Sequence, residues 1–100
     1  MKIMVMVDME GISGICRSAQ VMPDGELYPL SRKYLGWDVN ACVEGCIRGG
    51  ADSILVRDAH CTGYNFIWED LDPRADYVQG RSLLQRMPGN EGFDGLILLG

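Results

Sequence analysis

The apolar run of residues 3–7 stops abruptly at Asp8-Met9-Glu10-Gly11-Ile12-Ser13-Gly14, and this junction constrains the chain more than any other stretch. Odd and even positions before it are apolar alike, so both faces of the strand must be covered, the pattern of a parallel strand in an α/β layer. If extended geometry carries on past Val7, Asp8 and Glu10 point to one side with their Cα atoms about 6.5 Å apart. Two carboxylates that close either repel or share a cation. Gly11 and Gly14 let the backbone turn sharply and come near a ligand. The stretch reads as a strand that ends in a metal or phosphate site.

The same junction argues against a secretory leader, because its apolar run of about five residues is shorter than the roughly 7 to 15 of a signal core and no small-residue cleavage site follows. With no stretch of membrane-spanning length, the expectation is a cytoplasmic protein without a membrane partner. One hundred residues with 47% hydrophobic and 23% charged content suit one α/β domain over residues 1–100. The 9 basic and 14 acidic residues give a net charge of -5, and no window gathers Lys and Arg, so nucleic acid is not an expected partner. Cys16, Cys42, Cys46 and Cys61 read as reduced thiols. Cys42 and Cys46, at i and i+4 among Val39, Val43 and Ile47, are small core residues in this reading, since zinc knuckles use tighter spacings.

Residues 11–30 form a long, Gly- and Pro-containing connection, of the kind that is functional or mobile. From Ser31, an N-cap candidate, Leu35, Val39, Cys42, Val43, Cys46 and Ile47 recur at helical spacing, and Gly49-Gly50 stops the helix. Gly36 and Gly45 weaken it by about 1 kcal/mol each relative to Ala, so packing must hold it. Residues 53–57 form a second strand, which ends in Asp58-Ala59-His60. Strand, helix and strand make a right-handed crossover with parallel strands. Asp8, Glu10, Asp58 and His60 then emerge at the carboxyl edge of one sheet, where open α/β folds place their ligands. Residues 62–71 are ambiguous between turn and short helix, with Tyr64, Phe66 and Trp68 packing under the loop. A third strand at 75–78, a brief helix at 82–87 and a buried strand at 95–100 complete the mostly parallel, three-layer sandwich-like α/β fold. The chain stops at the end of a strand, so it is expected to be the N-terminal part of a longer domain.

Asp8, Glu10 and His60 offer oxygen and nitrogen donors that suit Zn²⁺, Mn²⁺ or Fe²⁺ better than Mg²⁺. Three protein ligands leave a coordination position open, as catalytic zinc requires, and such a metal activates water and polarises a carbonyl. Asp58 either joins the ligands or holds the imidazole or a loop backbone group from behind. The plainer alternative is a non-catalytic α/β module with His60 on the surface and Asp8 and Asp58 capping loops. A third reading is a Mg-dependent phosphatase of the haloacid-dehalogenase type with Asp8 as nucleophile. That family has Ser or Thr at the end of the next strand, where this chain has Asp58-Ala59-His60, and a carboxylate there repels phosphate.

Val7-Asp8-Met9-Glu10-Gly11-Ile12-Ser13-Gly14 resembles the opening signature of the zinc-dependent D-aminopeptidases of the DppA type, and Asp58-Ala59-His60 resembles their second motif at the expected distance. The resemblance runs through the whole chain in element order. It implies a cytoplasmic metallopeptidase that releases N-terminal residues, typically D-amino acids such as D-alanine, from short peptides and assembles as a homo-oligomer, a decamer. It also implies that Asp8 bridges two zinc ions and that Glu10 and His60 are further ligands. The family's remaining histidine and glutamate ligands and its catalytic histidine come later in the chain, so these 100 residues alone hold no catalytic residue and are expected to be inactive.

Overall fold

In the computed structural model, which describes residues 1–80 and 92–100, the chain runs β1 (Lys2–Val7), α1 (Ser18–Val21), α2 (Tyr28–Arg48), β2 (Ser53–Asp58), a 3-10 turn (Trp68–Asp70), β3 (Asp76–Val78) and β4 (Gly95–Leu99). The brief helix expected at 82–87 lies outside the described residues. The strands form one sheet in the order β3-β2-β1-β4, and every pairing is parallel. Val5 lies opposite Val56 on one side and Ile97 on the other. The expected parallel α/β architecture is therefore present, with β1 at its centre.

Helix α2 supplies the core of one sheet face. Leu35, Val39 and Val43 recur at helical spacing, are fully buried, and join Ile3, Val5, Val7, Ile54 and Val56 in one cluster. Burying such a side chain contributes about 1.5–3 kcal/mol, which offsets the weakening by Gly36 and Gly45. Ala51 donates its N–H to the Cys46 carbonyl at 3.0 Å, and Gly50 takes the positive φ of 95° that this reversal needs. Cys46 is buried, and desolvation followed by the neighbouring Cys46 sulfur pushes the thiol of the half-buried Cys42 up to about 11, so Cys42 is protonated at neutral pH.

Three expectations change. The helix starts at Tyr28, and Ser31 is no cap: Pro29 fits the first turn, where its missing N–H is harmless, and the buried Ser31 hydroxyl donates to the Leu27 carbonyl at 2.9 Å. Strand β4 is only half buried, with Leu96 44% and Leu98 72% exposed. Among the described residues it pairs only with β1, and these two side chains alternate away from the α2 core that Ile97 and Leu99 adjoin. Finally, only Phe66 packs inward, while Tyr64 and Trp68 are exposed.

Candidate metal centre

The first acidic pair is assembled by a turn and not by a continued strand. Extended pairing ends at Val7, and Ile12 donates its N–H to the Met9 carbonyl at 3.2 Å. Fully buried Met9 anchors this turn in the core, leaving Asp8 and Glu10 on its outer side. Gly11 adopts φ 95°, and a Cβ there would stand 2.9 Å from the Gly100 carbonyl carbon, so the turn needs glycine. Asp8 is steadied by the Met9 N–H, which donates to its Oδ1 at 2.8 Å.

His60 arrives from the adjacent parallel strand. Its side chain is 7% exposed, against 54% for Asp8 and 60% for Glu10. Nε2 lies 2.7 Å from the Val21 carbonyl, and a carbonyl only accepts, so Nε2 carries a proton and donates it there. The other ring nitrogen, Nδ1, faces Asp8 Oδ1 at 2.8 Å and Glu10 Oε2 at 3.1 Å. A neutral ring in this pose turns a lone pair toward two carboxylates. The position therefore demands a cation, either a proton on Nδ1 or a metal ion among the three groups. One donor atom from each lies within 4.8 Å of the others, a fit for a divalent ion bound by two oxygens and one nitrogen.

The protonation equilibria of the metal-free chain reflect this crowding. Burial works against a charged His60, but the Val21 carbonyl and the carboxylates of Asp8 and Glu10 outweigh it and raise its pKa above the ordinary 6.5. Burial likewise works against a charged Asp8, and the contacts with Glu10, His60 and the Met9 N–H bring its pKa below 3.8.

Asp58 takes the supporting role of its two expected ones. It is 1% exposed and stands apart from the cluster, accepting the Asn65 N–H at Oδ2 (2.6 Å) and Asn65 Nδ2 (2.9 Å) and the His60 N–H (3.2 Å) at Oδ1. It holds the loop backbone that carries His60, not the imidazole. Asn65, fully buried, also donates to the His60 carbonyl at 2.7 Å and accepts the Tyr28 hydroxyl at 2.6 Å. Arg32 donates to the carbonyls of Asn65 (2.9 Å) and Phe66 (2.6 Å). Tyr28 and Arg32, one helical turn apart, thus fasten the His60 loop to α2.

Sequence reasoning missed Asn65, which reads as a turn residue, and missed the Val21 carbonyl, because a backbone acceptor leaves no mark in composition. It also missed Gln20, buried in α1, which organises the connection after Gly14. Its Oε1 accepts the N–H groups of Cys16 (2.8 Å) and Arg17 (2.9 Å), and its Nε2 donates to the Gly14 carbonyl at 2.7 Å. The connection expected to be functional or mobile is thereby braced, and it reaches the site through the Val21 carbonyl.

A family model described as D-aminopeptidase matches residues 1–100. The chain belongs to the D-aminopeptidase family. A D-aminopeptidase of Bacillus subtilis (strain 168) is 31% identical over 104 residues, spanning 100% of this chain and 37% of the relative. Among solved structures, the Zn-dependent D-aminopeptidase DppA from Bacillus subtilis, a self-compartmentalizing protease, superposes with a TM-score of 0.94 at 31% identity, covering 100% of this chain and 37% of that one. The chain therefore spans just over a third of the length of these D-aminopeptidases, and over that span it shares their α/β fold.

Proposed function

We propose that the protein carrying this chain is a zinc-dependent aminopeptidase that hydrolyses the N-terminal peptide bond of short peptides, D-alanyl peptides among them. Asp8, Glu10 and His60 would hold zinc as part of a site for two ions, and the protein works in the cytoplasm as a homo-oligomer, a decamer. The observation that carries this reading is the orientation of His60, whose Nδ1 is turned toward two carboxylates while Nε2 is committed to Val21. Membership of the D-aminopeptidase family and the likeness to a Zn-dependent member support it.

When bound, the ions supply a Lewis acid that polarises a carbonyl and lowers the pKa of water. The chain's own residues prepare that chemistry. The Val21 carbonyl fixes the imidazole tautomer, the Met9 N–H orients the Asp8 carboxylate, and Asp58 with Asn65 keeps the His60 loop from drifting.

The test is hydrolysis of D-alanine and L-alanine p-nitroanilides by the whole protein, beside p-nitrophenyl phosphate with Mg²⁺. The expected result is cleavage of the D-substrate, abolished by a chelator, restored by zinc and lost in His60→Ala. Phosphatase turnover that persists in His60→Ala, with no amide cleavage, would overturn the proposal.

A further inference from the structure

Gln20 is buried, at 8% exposure, and its amide closes three hydrogen bonds onto the connection that precedes it. Oε1 accepts from the Cys16 and Arg17 N–H groups, and Nε2 donates to the Gly14 carbonyl at 2.7 Å. Gly14 lies at the far end of the acidic turn. The Ile12 N–H donates to the Met9 carbonyl and the Ile15 N–H to the Ile12 carbonyl (3.0 Å), so two consecutive turns join the Asp8 and Glu10 pair to it. The residue after Gln20 is Val21, whose carbonyl accepts from His60 Nε2 at 2.7 Å. One buried side chain thus links the segment that presents both acids to the element that aims the imidazole.

Helix α1 cannot hold the Val21 carbonyl by itself, because its 4 residues make a single turn, far short of the roughly 12–15 at which an isolated helix is even marginal. The Leu27 N–H donates to the Ala19 carbonyl at 3.1 Å, which ties α1 toward the start of α2 and not to the acidic turn. We infer that Gln20 is a positioning residue for the metal centre: by tying α1 to Gly14 it keeps the Val21 carbonyl in line with His60 and fixes the imidazole relative to Asp8 and Glu10. The inference rests on the zinc site proposed above. With the carbonyl in place, the ring proton stays on Nε2, and Nδ1 presents its lone pair beside Asp8 Oδ1 at 2.8 Å and Glu10 Oε2 at 3.1 Å. If the carbonyl swings away, the proton moves to Nδ1, where the two acids accept it, and a protonated nitrogen holds no metal. Loss of Gln20 therefore weakens metal binding without removing a ligand. Partners of this outer kind change metal affinity about 10–100-fold.

The experiment uses the whole protein stripped of metal, as wild type, Gln20→Met, Gln20→Glu and Asn40→Ala. Gln20→Met matches the side chain in length without its hydrogen bonds; Gln20→Glu keeps an acceptor for Cys16 and Arg17 but sets an oxygen against the Gly14 carbonyl. Asn40 is the control, since it braces residues 70–72, ahead of the amino end of β3 and away from the metal edge, by donating to the Asp70 carbonyl at 2.7 Å and accepting the Asp72 N–H at 2.8 Å. Zinc affinity is read by competition with a chromophoric chelator, ligand geometry by the absorption spectrum with Co²⁺, and folding by the melting temperature without metal. Both Gln20 variants are expected to bind zinc about 10–100-fold more weakly at unchanged stoichiometry, with an altered Co²⁺ spectrum. Asn40→Ala is expected to melt lower with wild-type affinity and spectrum, and Gln20→Glu carries the test if Gln20→Met does not fold. Wild-type zinc affinity in a folded Gln20 variant, or an equal loss of affinity in Asn40→Ala, overturns the role of Gln20 and leaves the zinc site standing. A wild type that takes up no zinc overturns both.

Discussion

Asp58→Ala separates a residue that holds the loop from one that holds the metal. The Asp58 carboxylate is 1% exposed and accepts three hydrogen bonds, at 2.6, 2.9 and 3.2 Å. Hydrogen bonds to a charged acceptor contribute about 1.5–3 kcal/mol each, and a buried donor left without its partner costs about 1–3 kcal/mol. Asn65 Nδ2 keeps the His60 carbonyl as an alternative acceptor, and the three bonds share one acceptor group, so their sum overstates the loss. Asp58→Ala is therefore expected to destabilise the metal-free protein by about 3–5 kcal/mol, read by urea denaturation. Asp58→Asn keeps one oxygen but sets an NH₂ against a donor, for a loss of about 1–3 kcal/mol. Because the loop carries His60, zinc affinity should fall about 10–100-fold in Asp58→Ala with the stoichiometry still reachable at high zinc. Metal-free stability within about 1 kcal/mol of wild type, together with lost stoichiometry, would refute this reasoning and make Asp58 a ligand.

Two further predictions concern the same edge of the sheet. Gly11→Ala places a Cβ 2.9 Å from the Gly100 carbonyl carbon at φ 95°, so it should destabilise by about 1–3 kcal/mol and weaken metal binding, seen in melting curves with and without zinc. In the metal-free protein the raised pKa of His60 gives stability that is complete below 6.5 and lost as pH rises through its higher folded value. The lowered pKa of Asp8 gives stability present above 3.8 and lost as pH falls through its lower folded value. Melting temperature without metal should therefore decline on both sides of that window, and the alkaline decline should vanish in His60→Ala; the same alkaline slope in both proteins would contradict the assignment.

The parallel strands and their shared carboxyl edge were legible because side-chain patterning dictates them. Apolar residues on both faces of β1 require cover on both sides, and the helical repeat from Leu35 to Ile47 requires a sheet to pack on. Once both strands run the same way, Asp8, Glu10 and His60 share one edge of the sheet, and the turn at Met9 and the loop held by Asp58 and Asn65 bring them together. What the pattern does not encode is which backbone groups take up a side chain's hydrogen bonds. Val21 holds His60 through its carbonyl, which any residue offers, and the turn at Met9 shows as burial of one side chain between two acids. The start of α2 leaves no mark in the sequence because Leu27 caps it without a side-chain hydrogen bond, whereas Ser31, a residue type favoured at caps, lies inside the helix. The apolar run of β4 reads as buried, yet its outer position in the described sheet leaves Leu96 and Leu98 in solvent.

The central claim, that Asp8, Glu10 and His60 meet in order to hold a metal, is tested most directly by elemental mass spectrometry. The whole protein, purified without chelator, would be compared with its Asp8→Ala variant. Close to two zinc ions per chain are expected in the wild type and a clear loss in the variant, because Asp8 would be one of the groups that hold them. Absence of any stoichiometric transition metal from the wild type, or equal zinc in both proteins, would contradict it.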